Sequence, residues 1–209
     1  MAGVQEQTVH RGGLSQFGEH LDIEDVVGLQ LHGYAVDVGA CDGVSLSNTK
    51  QLEDRGWNVL CIEANPFFGK ALRQNRKNVM MVACGAENMD DQDFHVYEVQ
   101  PGNFEALSAL SPVPNPPMHA DAKEKEVVKV DIRTLNWCLM EAGFPRVDVV
   151  SIDVEGGEED VLDGFDIKYW QPKIIVIEDW AGGTFHDRLG KFGLKFKNRR
   201  GVNDIYVRE

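Results

Sequence analysis

Short apolar runs alternate along this chain with longer stretches in which apolar and polar positions mix at helical spacing. Tyr34–Val38, Asn58–Ile62 and residues 79–83 read as strands, with a helical stretch between each pair. Such alternation marks βαβ units and a largely parallel sheet. Residues 93–99 alternate instead, as a strand of a different kind. The rhythm then breaks at Pro101, Pro112, Pro114, Pro116 and Pro117. A segment so rich in proline continues neither a helix nor a central strand. Residues 100–126 are therefore expected to be an insertion, either a substrate lid or a disordered excursion. Regularity returns with a strand at 127–130, a helix over about 134–142 ended by Gly143 and Pro145, and a continuous apolar strand at 147–152. A short helix at 158–162 and a strand at 173–177 follow, and 194–197 with 204–207 form a hairpin around Gly201 and Asn203. The pattern predicts one α/β domain over 1–209. Its sheet is doubly wound and mostly parallel, closed by an antiparallel C-terminal hairpin, with a helical extension at 1–30.

Composition narrows this picture. A chain of 209 residues with 43% hydrophobic content is long enough for one core and short for two domains. A formal charge of -13 disfavours nucleic-acid partners, because affinity for phosphate backbones comes from clustered Lys and Arg. No apolar run approaches the roughly 20 residues of a membrane-spanning helix, and residues 1–14 lack a charged-then-apolar secretory pattern. The expectation is a soluble, cytoplasmic protein without a membrane partner. Cys41, Cys61, Cys84 and Cys138 are widely spaced with no C-x-x-C pair, so reduced, buried thiols are expected rather than disulfides or zinc. Nothing in the sequence fixes an oligomeric state.

Candidate chemistry gathers at the expected strand ends. Asp37-Val38-Gly39-Ala40-Cys41-Asp42-Gly43 closes the first strand, and its glycines let backbone turn sharply and approach a ligand. Asn48 and Gln51 are spaced as a capping box for the helix that follows. Cys61-Ile62-Glu63 ends the second strand with an acid placed to meet a ribose diol. Ala83-Cys84-Gly85-Ala86, at the third, leaves room for a flat base. Ser151-Ile152-Asp153-Val154-Glu155-Gly156-Gly157-Glu158-Glu159 follows the buried strand, and Ile177-Glu178-Asp179 ends the next one. Parallel neighbours bring Asp153, Glu178 and Asp179 to one edge. Clustered acids repel unless they share protons, hydrogen bonds or a cation, and Mg²⁺ is one solution. The alternative is that Asp153 orients a ligand while Glu178 and Asp179 cap loops.

As a set these residues resemble the FkbM family of S-adenosylmethionine-dependent methyltransferases. The matching stretches are Ser15-Gln16-Phe17-Gly18-Glu19, Val36-Asp37-Val38-Gly39-Ala40 with Asp42-Gly43, Ser47-Asn48-Thr49, Gly56-Trp57, Ile62-Glu63-Ala64-Asn65-Pro66, Asn75-Arg76, and Ile152-Asp153-Val154-Glu155-Gly156 with Glu158, Val161-Leu162 and Gly164. The resemblance implies a class I, Rossmann-like sheet of about seven strands with the cofactor along its first three strand ends. It places Asp37 and the Gly39 backbone near the methionine moiety and Glu63 on the ribose hydroxyls. Ala40, Asp42, Gly43, Asn48, Ala64, Cys84 and Asp153 complete the expected cofactor set. It further implies transfer of a methyl group to a hydroxyl of a sugar, glycan or other small metabolite. The family often has Lys where Ser151 stands, so a role for that lysine does not carry over. A looser similarity links Asp153 and Glu178-Asp179 to the metal positions of catechol-type O-methyltransferases, without their lysine base.

Methyl transfer asks the protein to align an acceptor oxygen and to weaken its hold on its proton. Asp153, with Glu178 and a bound cation, is the first candidate for that task, and His186, after Gly182-Gly183-Thr184, the second. Two other readings stand beside this one. A nicotinamide-dependent oxidoreductase would also use Gly39, Gly43 and Glu63, but the loop lacks Gly-x-Gly-x-x-Gly spacing and Asp42 would face a pyrophosphate. A non-catalytic nucleoside-binding module would keep the fold without needing acids at three strand ends.

Overall fold

The four apolar runs are buried as central strands must be. Val149–Ile152 and Ile174–Glu178 have no exposed position, and Tyr34–Val38 and Asn58–Ile62 open only at their first residue. A computed structural model of the chain describes residues 15–28, 32–98, 108, 110 and 123–209. The elements in chain order are α1 (Glu19–Val27), β1 (Tyr34–Val38), α2 (Lys50–Asp54), β2 (Asn58–Ile62), α3 (Gly69–Asn75), β3 (Asn78–Met80), β4 (Ala83–Cys84), β5 (Met89–Glu98) and β6 (Lys123–Arg133). They continue with α4 (Leu135–Glu141), β7 (Val149–Ile152), α5 (Glu158–Asp163), α6 (Ile167–Trp170), β8 (Ile174–Glu178), α7 (His186–Gly190), β9 (Leu194–Arg200) and β10 (Asn203–Arg208).

Seven strands form one sheet in the order β3-β2-β1-β7-β8-β10-β9. Pairing is parallel except at β10, which runs antiparallel to both β8 and β9. Alternate side chains serve opposite faces. Val36, Val38, Leu60, Ile62, Val150, Ile152, Ile175 and Ile177 pack with Leu135, Leu139, Leu162 and Leu189 from α4, α5 and α7. Ala35, Val59, Cys61, Val149, Ile174 and Val176 pack with Ile23, Leu52 and Leu72 from α1, α2 and α3. Each fully buried Val, Ile or Leu contributes about 1.5–3 kcal/mol, so three layers hold without help from disulfides. All four cysteines are free. The chain leaves β1 toward β2 on one side and returns to β7 on the other, which opens a crevice at the carboxyl ends of β1 and β7.

The expected strand at 79–83 is divided. Its first half joins β2 as β3, whereas Ala83–Cys84 pairs with Ile132 and Arg133 in a second sheet of order β4-β6-β5. The strand expected at 127–130 extends over Lys123–Arg133, so residues 123–126 of the expected insertion are sheet. Tyr97 and Glu98 pair with Glu124 and Lys123, and polar, mostly exposed positions hide such a strand from a periodicity argument. The capping box of Asn48 and Gln51 is replaced by Ser47, whose Oγ accepts from the N–H groups of Thr49 and Lys50 at 3.2 and 3.1 Å. Of the expected N-terminal extension, 15–28 is described and carries α1; residues 1–14 and 29–31 lie outside the described residues, as do 99–107, 109 and 111–122 of the proline-rich region. Among the described residues, no helix is long and apolar enough to cross a membrane.

Candidate active site

The loops at the carboxyl ends of β1, β2 and β7 enclose a cavity of about 440 Å³, roofed by Phe94 of β5 with Ser108 and Leu110. Its floor depends on Gly39. The N–H groups of Gly39 and Ala40 both donate to Ile62 O, at 2.9 and 3.1 Å, and Asp153 N donates to Val38 O at 2.9 Å. Gly39 has φ +87°, and a Cβ there would lie 1.7 Å from the Asp153 carbonyl oxygen. No side chain fits, so glycine alone lets these two strand ends close.

Glu63 lines the cavity at the end of β2. Its Oε2 accepts from Cys41 N at 2.8 Å and its Oε1 from Asn65 N at 2.7 Å. A carboxylate oxygen has two acceptor directions, so each keeps capacity for a ligand hydroxyl. Burial pushes this carboxyl up to about 7 against the pull of those backbone donors. Asn65 is itself fixed, accepting from Phe67 N at 3.0 Å and donating to Ser108 Oγ at 3.1 Å, which ties the β2 loop to the roof.

Asp153, Val154, Glu155 and Asp160 form the acidic wall beyond β7. Glu158 shapes this loop by accepting from Val154 N at 3.2 Å and Gly156 N at 3.1 Å. Glu155 turns the chain with φ 58°. Carboxylate oxygens of Asp153, Glu155 and Glu178 lie within 4.8 Å of one another. Burial, then the charges of Glu158, Asp37, Glu19 and Glu63, lifts Asp153 to about 7. Burial, Asp153 and Glu158 lift Glu155 to about 8. Burial, then Asp153, Glu155 and Glu158, raise Glu178 still further against the pull of Trp180. No Lys, Arg or His stands among the described residues of the cavity wall.

Several expected site residues serve other tasks. Asp37 does not line the cavity; its Oδ2 accepts from Thr49 Oγ1 at 2.6 Å and Ser47 Oγ at 3.0 Å, with Arg76 Nη1 at 3.8 Å. Arg76 also meets Glu53 at 3.1 Å and donates to Gly43 O at 2.9 Å. Asp42 turns inward on its own loop, accepting from Val44 N and Ser45 N at 2.8 and 2.7 Å. Asn48 Nδ2 donates to Ser151 Oγ at 3.1 Å. Ala40, Asp42, Gly43 and Asn48 thus shape the loop, whereas Gly39, Ala64, Cys84 and Asp153 reach the cavity with Glu63. Asp179 stands outside the acidic trio. Thr184 N, Thr184 Oγ1 and Gly182 N donate to it at 2.7, 2.8 and 3.0 Å, so it clamps the turn after β8. His186 is not brought to the cavity. Its ring packs on Phe196 and Tyr206, where α7 docks on the hairpin, and its Nε2 is 3.8 Å from Asp204. Glu155 and Asn65 were overlooked by the strand-end reasoning, although both lie inside stretches already singled out. The signal for Glu155 is the Gly156-Gly157 pair behind it, which permits a tight return.

Residues 37–192 match the Methyltransferase FkbM domain. The chain belongs to the FkbM methyltransferase family. S-adenosylmethionine is the methyl donor that this membership implies, and the FkbM cavity suits it. Glu63 offers acceptors for paired hydroxyls, Ala64, Val82, Ala83 and Cys84 form a small-residue wall, and the surrounding carboxylates favour a sulfonium charge. A pyrophosphate would find no Lys or Arg among the described residues of the wall and no Gly-x-Gly-x-x-Gly loop after β1, which counts against the nicotinamide alternative. No curated protein sequence matches the chain. Among solved structures, it is similar to a precorrin-6y C5,15-methyltransferase from Geobacter metallireducens at 11% identity and TM-score 0.47, covering 100% of this chain and 94% of that one. It is also similar to a TehB-like SAM-dependent methyltransferase from Corynebacterium glutamicum (12%, TM-score 0.45, 91% and 88% covered). A fibrillarin/Nop5p complex is a third likeness (11%, TM-score 0.46, 93% and 81%).

Proposed function

We propose that this FkbM methyltransferase methylates a hydroxyl oxygen on a small molecule or glycan, with Asp153 taking the acceptor's proton. The observation that carries the reading is the position of Asp153 on the cavity wall with its carboxyl raised to about 7. A base works best when its own proton affinity lies near the operating pH. Bound S-adenosylmethionine supplies a methyl group already activated on sulfur. Glu63 and the Gly39–Cys41 backbone hold the cofactor end of the cavity, while Asp153 holds the acceptor proton at a carboxylate oxygen. Phe94 and Leu110 give the cavity an apolar side that lowers the local dielectric around the reacting groups. The net charge of -13 supports a non-nucleic-acid acceptor, and four free cysteines suit the reducing cytoplasm.

The test is S-adenosylhomocysteine release against a panel of hydroxylated acceptors, with product carbon shifts reporting where the methyl group sits. Asp153→Asn is expected to lower turnover by about 10²-fold or more, the scale of a lost general base. Its melting temperature should stay at or above wild type. Full turnover in that variant, or a methyl group on carbon or nitrogen, sinks the proposal.

A further inference from the structure

We propose that Asp153, Glu155 and Glu178 form a binding site for one divalent cation of the Mg²⁺ or Mn²⁺ type. Three carboxylate oxygens from two neighbouring strand ends converge within 4.8 Å, close enough for a single ion to touch all three after small side-chain adjustments. Acid clustering alone would not make a site. The second observation is Glu178, whose residue is only 4% exposed and whose Oε2 has no hydrogen-bond partner among the described residues. Glu155 Oε2 is buried and unpartnered in the same way. Buried polar atoms are normally satisfied, so two such atoms on members of one carboxylate cluster mark a place for a positive ligand.

The chemistry of the donors selects the ion. All three are hard oxygens, which suit Mg²⁺, Mn²⁺ or Ca²⁺ and not the softer metals that prefer sulfur or imidazole. Three protein ligands leave about three positions of an octahedral ion for water or an acceptor oxygen. Asp153 and Glu155 line the cavity themselves, so the ion sits between the buried Glu178 and the ligand space. Asp179 is excluded because its oxygens are committed to Gly182 and Thr184. The site shares Asp153 with the proposed methyl transfer, yet it can be filled, and so tested, without cofactor or acceptor.

The experiment uses the full chain, stripped with a chelator and dialysed, with no S-adenosylmethionine added. Free Mn²⁺ is followed by electron paramagnetic resonance during titration with MnCl₂, and MgCl₂ is added in competition. Saturable uptake of one Mn²⁺ per chain, displaced by Mg²⁺, is expected. MgCl₂ at about a hundredfold excess over its dissociation constant should raise the melting temperature by roughly 5 °C. Glu178→Gln and Glu155→Gln should each weaken Mn²⁺ binding by about tenfold or more. Both variants should also melt no lower than wild type in metal-free buffer, because Gln keeps the size and hydrogen-bonding capacity of the side chain, and this separates loss of a ligand from loss of the fold. Absence of saturable uptake in the millimolar range, or unchanged affinity in both variants, overturns the site. Because no turnover is read, that failure would leave the proposed methyl transfer untouched.

Discussion

Asp37 and Glu53 share the guanidinium of Arg76; Asp153, Glu155 and Glu178 form no ion pair with a Lys, Arg or His among the described residues. The first set is buried, whereas in the second Glu178 is buried and Asp153 and Glu155 are half-buried on the cavity wall, and both sets flank the Gly39 loop. The first also takes hydroxyl donors from Ser47 and Thr49, so every charge is answered and the loop between β1 and α2 is locked. In the second, like charges face one another and raise one another's proton affinity. A buried carboxylate with its partner built in holds architecture. One without a cationic partner among the described residues is free to meet a ligand, as the proposed cation site requires.

The strongest way to break this contrast is to remove the built-in partner. Arg76→Ala leaves Asp37 and Glu53 buried without a cation, and uncompensated burial of this kind costs about 3–5 kcal/mol. The expected result is a melting temperature lowered by roughly 6 °C or more, read by circular dichroism. A shift within about 1 °C would mean that the network is ornamental. The absence of any such loss, expected for Glu178→Gln in metal-free buffer, makes the pair of variants more telling than either alone.

A smaller effect separates the sets by pH. Glu63 and Glu155 are raised from the ordinary 4.5 to about 7 and about 8. Between those limits the folded chain binds more protons than the unfolded one, so stability declines as pH rises. Their contribution is fully present below pH 4.5 and is lost on climbing through the raised values. In metal-free buffer the melting temperature is expected to fall from about pH 5 to about pH 8. Saturating MgCl₂ should flatten the part of that slope that belongs to Glu155, and a profile that rises over this range contradicts the unpaired state of the cluster. The smallest effect is reserved for His186, which belongs to neither set. His186→Ala should keep turnover within about twofold of wild type while costing about 1 kcal/mol of ring packing, measured by denaturant melts. A tenfold loss of turnover would restore it as a base.

The sequence made β1, β2, β7 and β8 legible because strands buried on both faces are nearly continuous in Val and Ile, and it made Glu63 and Asp153 legible because acids at neighbouring strand ends converge on one crevice. The second sheet was harder to see. Lys123–Arg133 is mostly exposed and pairs with Met89–Glu98 across the proline-rich region, a long-range contact that no local pattern reports. The choice between Glu178 and Asp179 was equally hidden. Adjacent residues at a strand end turn to opposite sides, and only the position of Thr184 shows which one is engaged by its own loop. Arg76 had been noted as part of a motif, yet its role as the counter-ion of Asp37 needs α3 laid against the β1 loop.

Gly39 carries one further implication. The backbone on the cofactor side and the backbone bearing the acids touch at a spot too narrow for a methyl group, and a hydrogen bond from Asp153 to Val38 fastens them there. Two loops far apart in the chain are thereby one lever. Any side chain at position 39 would have to push the Asp153 carbonyl aside, so a single substitution there disturbs both ends of the cavity at once.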